Sequence, residues 1–173
     1  MQRREFLRLS AMASSLAVGA TLVGTRIAQA AQLNTWPAAA FAAESLEAAL
    51  KATVAKDQLP PSPKLRLRVP TTVEDPLSVP VSVAVDHPMH SDDYIEALYI
   101  FVDHNPTPLA AIFHCSPANG RAACYLRVKV FQDSAVRVVA RSNRGQLFAS
   151  APAPVRVGLP LAPLLKKSTE KKP

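Results

Sequence analysis

From Lys64 onward the chain alternates apolar and polar residues with a period of two, and this constrains its fold more than any other feature. Leu65, Leu67 and Val69 alternate with Lys64, Arg66 and Arg68, and Val79, Val81, Val83 and Val85 alternate with Pro80, Ser82 and Ala84. Successive side chains of an extended strand point to opposite faces, so this pattern predicts strands with one buried face and one wet face. Residues 94–102 form a denser apolar run with Ile95, Ala97, Tyr99 and Phe101 on one face. Residues 109–115, 124–131, 135–141 and 146–149 supply four further strands, and 154–157 a short last one. Turn residues separate them at Asp75-Pro76, Asn105-Pro106, Asn119-Gly120 and Arg144-Gly145. Sixteen prolines against five glycines favour extended segments and edge strands over a helical bundle. The pattern predicts a mainly β fold, an Ig-like antiparallel β-sandwich.

One helix is predicted at its N-terminal side, over residues 37–56. Leu46, Leu50 and Val54 recur at four-residue steps, with Phe41 and Ala42 on the leading turns. Glu44 and Glu47 lie early and Lys51 and Lys56 late, as the helix dipole favours, and Asp57 with Pro60, Pro61 and Pro63 ends the segment.

Before the helix lies a segment of another kind. Arg3-Arg4-Glu5-Phe6-Leu7-Arg8 has the form of a twin-arginine export motif, in which Arg3, Arg4, Phe6 and Leu7 carry the signal. A moderately apolar stretch over 9–23 and an Ala28-Gln29-Ala30 cleavage site follow. The expectation is a periplasmic protein cleaved after Ala30. It divides into a signal (1–30), a helix and linker (31–63), a β-sandwich (64–158) and an apolar then Lys-rich tail (159–173). No later stretch reaches the ~20 apolar residues of a membrane span.

The formal net charge of +7 is concentrated at the two ends. Residues 31–165 hold 12 basic and 11 acidic groups. A body so nearly neutral lacks the electrostatic footprint of a nucleic-acid binder. The Lys-rich tail is expected to make only weak, salt-screened contacts with anions.

Cys115 and Cys124 are the two cysteines. A two-residue type I′ turn at Asn119-Gly120 would set them opposite each other in a hairpin, close enough for a disulfide in an oxidising compartment. Pro117 leaves room for a wider loop that displaces this register, and two separately buried thiols are the alternative. The eight intervening residues exclude a CxxC redox site. His87 and His90, with Met89, Asp92 and Asp93 beside them, are weak metal candidates in a loop whose composition also suits a plain solvated turn. His104, at a strand end and turn, is expected to be structural. Arg66, Arg68, Arg127 and Lys129 alternate outward from their strands and read as a solvated sheet face. With no nucleophile-elbow serine, no glycine-rich phosphate loop and no paired-acid motif, the expectation is a protein that is no enzyme and holds no cofactor.

The succession of segments resembles the SoxY family of the bacterial sulfur-oxidation system. The resemblance lies in a twin-arginine signal, a helix beginning near Trp36, a Val79-Pro80-Val81-Ser82-Val83 segment and Asn105-Pro106 followed by Pro108-Leu109. Arg127-Val128-Lys129, Ser134 with Val136, and Gly145 with Leu147-Phe148 complete it. It implies an Ig-like fold, a SoxZ-like partner subunit and a mobile C-terminal arm whose Gly-Gly-Cys-Gly-Gly end carries thiosulfate-derived intermediates on its thiol. Here the last strand runs instead into Gly158-Leu159-Pro160-Leu161-Ala162-Pro163, with no cysteine over 158–173. The resemblance therefore implies an accessory or degenerate carrier. The alternative function is a periplasmic module for a metal or small ligand that shares only the fold.

Overall fold

The structure, a computed structural model, describes residues 37–158. The twin-arginine motif, the cleavage site and the tail after Gly158 lie outside the described residues. The elements run α1 (Ala38–Phe41), α2 (Leu46–Val54), β1 (Leu65–Arg68), β2 (Thr72–Val73), β3 (Val79–Val85), β4 (Ile95–Val102), β5 (Leu109–His114), a 3₁₀ turn (Pro117–Asn119), β6 (Ala122–Val128), β7 (Ser134–Ser142), β8 (Leu147–Ala149) and β9 (Ala153–Val157). They build the expected mainly β sandwich. One sheet has the order β1-β3-β6, and the other β2-β9-β7-β4-β5 with β8 added to β7. Every pair is antiparallel except β2 with β9.

The predicted helix is broken in two. Ser45 takes an extended backbone (φ −129°, ψ 151°), and its Oγ accepts from the Ala48 N–H at 3.2 Å. A serine in that conformation satisfies one of the free N–H groups at a helix start, so the chain begins a new helix there instead of continuing the first. The second helix stops at Val54, where Ala55 turns left-handed (φ 55°) and donates its N–H to the Lys51 carbonyl. It therefore ends before the prolines. Those prolines do a different job: the Ser62 N–H bonds the Ala149 carbonyl at 2.8 Å, which ties the linker to β8.

Two apolar clusters hold the molecule. Between the sheets, β3 alternates strictly, with Val79, Val81, Val83 and Val85 facing Leu98, Ile100, Val102, Val136 and Val138 from the other sheet. On the far face of the larger sheet, Ala97, Tyr99, Phe101 and Val139 pack under Ala40, Leu50 and Val54 of the helices. β4 is thus buried on both sides, and this is why its sequence is a run of apolar residues rather than an alternation. A register shift between Ile95 and Ala97 adds a correction. Ile95 faces the inter-sheet core, while Ala97, Tyr99 and Phe101 face the helices, so the four do not share one face.

The predicted Asn119-Gly120 hairpin does not form. β5 pairs with β4 in one sheet and β6 with β3 in the other, so residues 115–121 cross between the sheets. A type I′ turn needs positive φ at both central residues. Only Gly120 has it (φ 67°), whereas Asn119 closes the 3₁₀ turn. Pro117 starts that turn, and the Asn119 Oδ1 accepts from the Ser116 N–H at 2.7 Å. Pro117, locked near the helical φ, and the Ser116–Asn119 cap together outbid the hairpin.

Candidate functional site

The thiols are the groups with the most chemistry to offer. Cys115 follows β5, with its N–H on the Glu96 carbonyl at 2.9 Å, and Cys124 lies in β6 opposite Val83. In each strand the cysteine falls in step with inward residues: Ala111 and Phe113 before Cys115, Ala122, Leu126 and Val128 around Cys124. The two side chains therefore reach the same inter-sheet core from opposite sheets, at the open edge between β5 and β6. Both are half-buried free thiols. The hairpin register expected to align them is absent, and their nearness comes from the sandwich itself.

Burial pushes the Cys115 thiol up from its ordinary value. Burial pushes Cys124 up to about 11, and the charge of Cys115 adds to that shift. The thiolate is the nucleophile, so both groups are weak nucleophiles at neutral pH. This sets an expected result. In reduced protein, alkylation of Cys124 by iodoacetamide should rise with pH toward a midpoint near 11. At pH 8 it should run roughly a hundredfold slower than a cysteine of ordinary pKa. Peptide-resolved alkylation rates between pH 7 and 11 check this, and a midpoint below 9 would refute it.

The His87 ring is drawn inward. Its side chain is 3% exposed, with Nε2 3.5 Å from Asp93 Oδ1, Nδ1 2.8 Å from the Pro88 carbonyl and its ring edge-on to Phe148. His90 closes a tight turn, exchanging backbone hydrogen bonds with Asp93, and its side chain is exposed. Among the described residues no three His, Cys, Asp or Glu side chains converge as metal ligands. His104 braces a turn, its N–H on Ser134 Oγ at 2.9 Å and its Nδ1 2.9 Å from the Asp133 carbonyl.

A hollow of about 220 Å³ lies between α2 and the larger sheet, lined by Leu46, Leu50, Leu59, Arg137 and Val139 among others. Its arginine is already engaged, since Arg137 Nε donates to both oxygens of Asp103 at 3.0 and 2.8 Å. Arg66, Arg68 and Arg127 stand exposed on the outer face of the three-stranded sheet, as their alternation predicts. Arg121, which sequence reasoning passed over, joins them there. Its signal was parity: 121 is two steps of two before Tyr125 and three before Arg127, on a strand that begins earlier than expected. No helix among the described residues is long and apolar enough to cross a membrane.

Comparison with known proteins agrees with this frame. No curated protein matches the chain. Among solved structures, the sulfur carrier protein SoxY from Chlorobium limicola f thiosulfatophilum is similar at 24% identity and a TM-score of 0.54, covering 66% of this chain and 97% of that one. Two variants of a superoxide reductase (neelaredoxin) from Ignicoccus hospitalis follow, each at a TM-score of 0.49. One is 15% identical over 54% of this chain and 79% of its own, the other 16% identical over 66% and 89%. The family described as sulfur oxidation protein SoxY matches residues 50–158, the second half of helix α2 and every strand of the sandwich, and the chain belongs to the SoxY family.

Proposed function

We propose that this chain is an exported, non-catalytic member of a sulfur-compound oxidation system, with thiosulfate as the substrate class, that pairs with a SoxZ-like subunit as an accessory or degenerate carrier. The observation that carries this reading is where the thiols stand. A carrier needs a thiol exposed and mobile enough to enter an enzyme's pocket. Cys115 and Cys124 are instead half-buried, bound into the sandwich and pushed toward the protonated form. Residues 158–173 supply leucines, prolines and lysines in place of a glycine-flanked cysteine. Leu159, Leu161, Leu164 and Leu165 are too apolar for a free solvated tail and suit burial, on this domain or against another chain. The alternative, a binding module sharing only the fold, is the weaker reading, because the match over 50–158 is one of sequence pattern.

In an oxidising periplasm Cys115 and Cys124 are expected to pair, giving up two protons and two electrons to thiol-oxidising proteins of that compartment. Intact-mass spectrometry tests both statements on exported protein. Alkylated while denatured and unreduced, it should gain no alkyl groups, and two additions would end the pairing. Incubated with thiosulfate and a competent thiosulfate-oxidising system, it should keep its mass while a true carrier beside it gains one. An adduct that survives denaturation and leaves on reduction would overturn the accessory reading. Co-purification should bring down one small SoxZ-like subunit, and a strict monomer at high concentration with no such subunit would count against the pairing.

A further inference from the structure

We propose that a cleft on the outer face of the three-stranded sheet, between Arg66 and Arg121, binds a small oxyanion of the sulfate class. The inference goes beyond the function proposed above, since it needs neither a partner subunit nor sulfur transfer. The helices cover the outer face of the larger sheet, whereas the outer face of β1-β3-β6 carries no covering element among the described residues. Register maps that face directly. Arg66 on β1 stands opposite Ala84 on β3, which stands opposite Ala123 on β6. One row further, Asp86 donates its N–H to the Lys64 carbonyl at 2.7 Å, and Arg121 lies just before Ala122, the partner of Val85.

Between the two long basic side chains, β3 thus offers the methyl group of Ala84, with the Asp86 carboxylate one step further along. The result is a cleft of about 210 Å³ lined by Arg66, Ala84, Val85, Asp86, His87 and Arg121. His87 contributes little beyond its backbone, because its ring is buried against Phe148. The charges in this cleft are uncommitted. Elsewhere Arg137 pairs with Asp103, Arg141 with Glu96 and Arg144 with Asp92. Arg66 and Arg121 have no such carboxylate, and Asp86 has no cation within ion-pair distance, among the described residues.

Arg66 and Arg121 line one space, and a guanidinium fork can hold the oxygens of a sulfate-like anion through parallel N–H donors. Asp86 sets the strength and gives the proposal a sign. Its carboxylate leaves the cleft with one net positive charge, so binding should be modest, on the order of millimolar. Removing that carboxylate should tighten it.

The test is an amide-resolved NMR titration of the exported protein with sodium sulfate, against sodium chloride at matched ionic strength. Sulfate should give saturable shifts confined to residues 65–67, 84–87 and 121–123. The double variant Arg66→Ala, Arg121→Ala should weaken binding at least about tenfold. Asp86→Asn should strengthen it about threefold. Arg127→Ala should change nothing, since Arg127 is tied to Ser78 Oγ at 3.0 Å outside the cleft. All four residues are exposed, and an unchanged melting temperature confirms that each variant is folded. Shifts that fail to saturate, that gather on Lys166–Lys172, that survive the double variant or that weaken in Asp86→Asn would each overturn the proposal.

Discussion

Phe101→Ala is expected to destabilise the protein by about 3–5 kcal/mol, the largest loss any single side chain among the described residues should cause. Phe101 is 0% exposed and among the largest fully buried side chains of the chain. It lies on the helix-facing side of β4 in the cluster of Ala40, Leu50, Val54, Tyr99 and Leu109. Truncation removes its apolar surface and also opens a void that the strands on either side cannot close, since β4 is hydrogen-bonded to both β5 and β7. A loss of this size is a large share of the ~5–15 kcal/mol that holds an ordinary domain together. Phe101→Leu keeps most of the volume and should cost less than half as much. Denaturant unfolding of both variants is the measurement. A Phe101→Ala cost below about 1 kcal/mol would show that the helices are not seated on this residue.

Asn105→Ala should cost about 2–3 kcal/mol, although the residue is polar and lies in a turn. Asn105 is 9% exposed. Its Nδ2 donates to the Lys129 carbonyl at 2.8 Å, and its Oδ1 accepts from the Phe131 N–H at 3.1 Å. One side chain therefore links the turn after β4, in one sheet, to the chain leaving β6, in the other. Alanine would strand a backbone donor and a backbone acceptor in a place water reaches poorly, and that penalty exceeds the worth of the bonds themselves. Thermal and denaturant unfolding would check it, and a cost within about 0.5 kcal/mol of zero would show that water replaces both bonds. The Asn105 behind the family resemblance thus has a structural reason in this chain, independent of sulfur chemistry.

The alternation of Val79 to Val85 was sufficient to predict β3, because a half-buried strand exposes every second residue and the pattern is local. The same holds for β7 and β9, and for the sandwich as a class. The apolar stripe from Phe41 to Val54 spoke for one continuous helix, which the structure breaks at Ser45. The local cap prevailed over that stripe. Other features were open until distant segments met. Whether Asn119-Gly120 closes a hairpin or a crossing depends on which strands claim β5 and β6, and β4 and β3 claim them first, in different sheets. That choice brought Cys115 and Cys124 to one edge by a route that spacing alone did not show.

The cleft of Arg66 and Arg121 is still further from local reading. The two residues are 55 positions apart in the chain, and they face one space only because β3 runs between their strands with Ala84 at the matching step. Period and turn chemistry act over a few residues, so the chain alone determined its strands other than the two-residue β2, its class of fold and its family. Register and sheet partnership act between residues far apart in sequence. The tertiary structure therefore decided which side chains share a face, which thiols are neighbours and which charges are left without a partner.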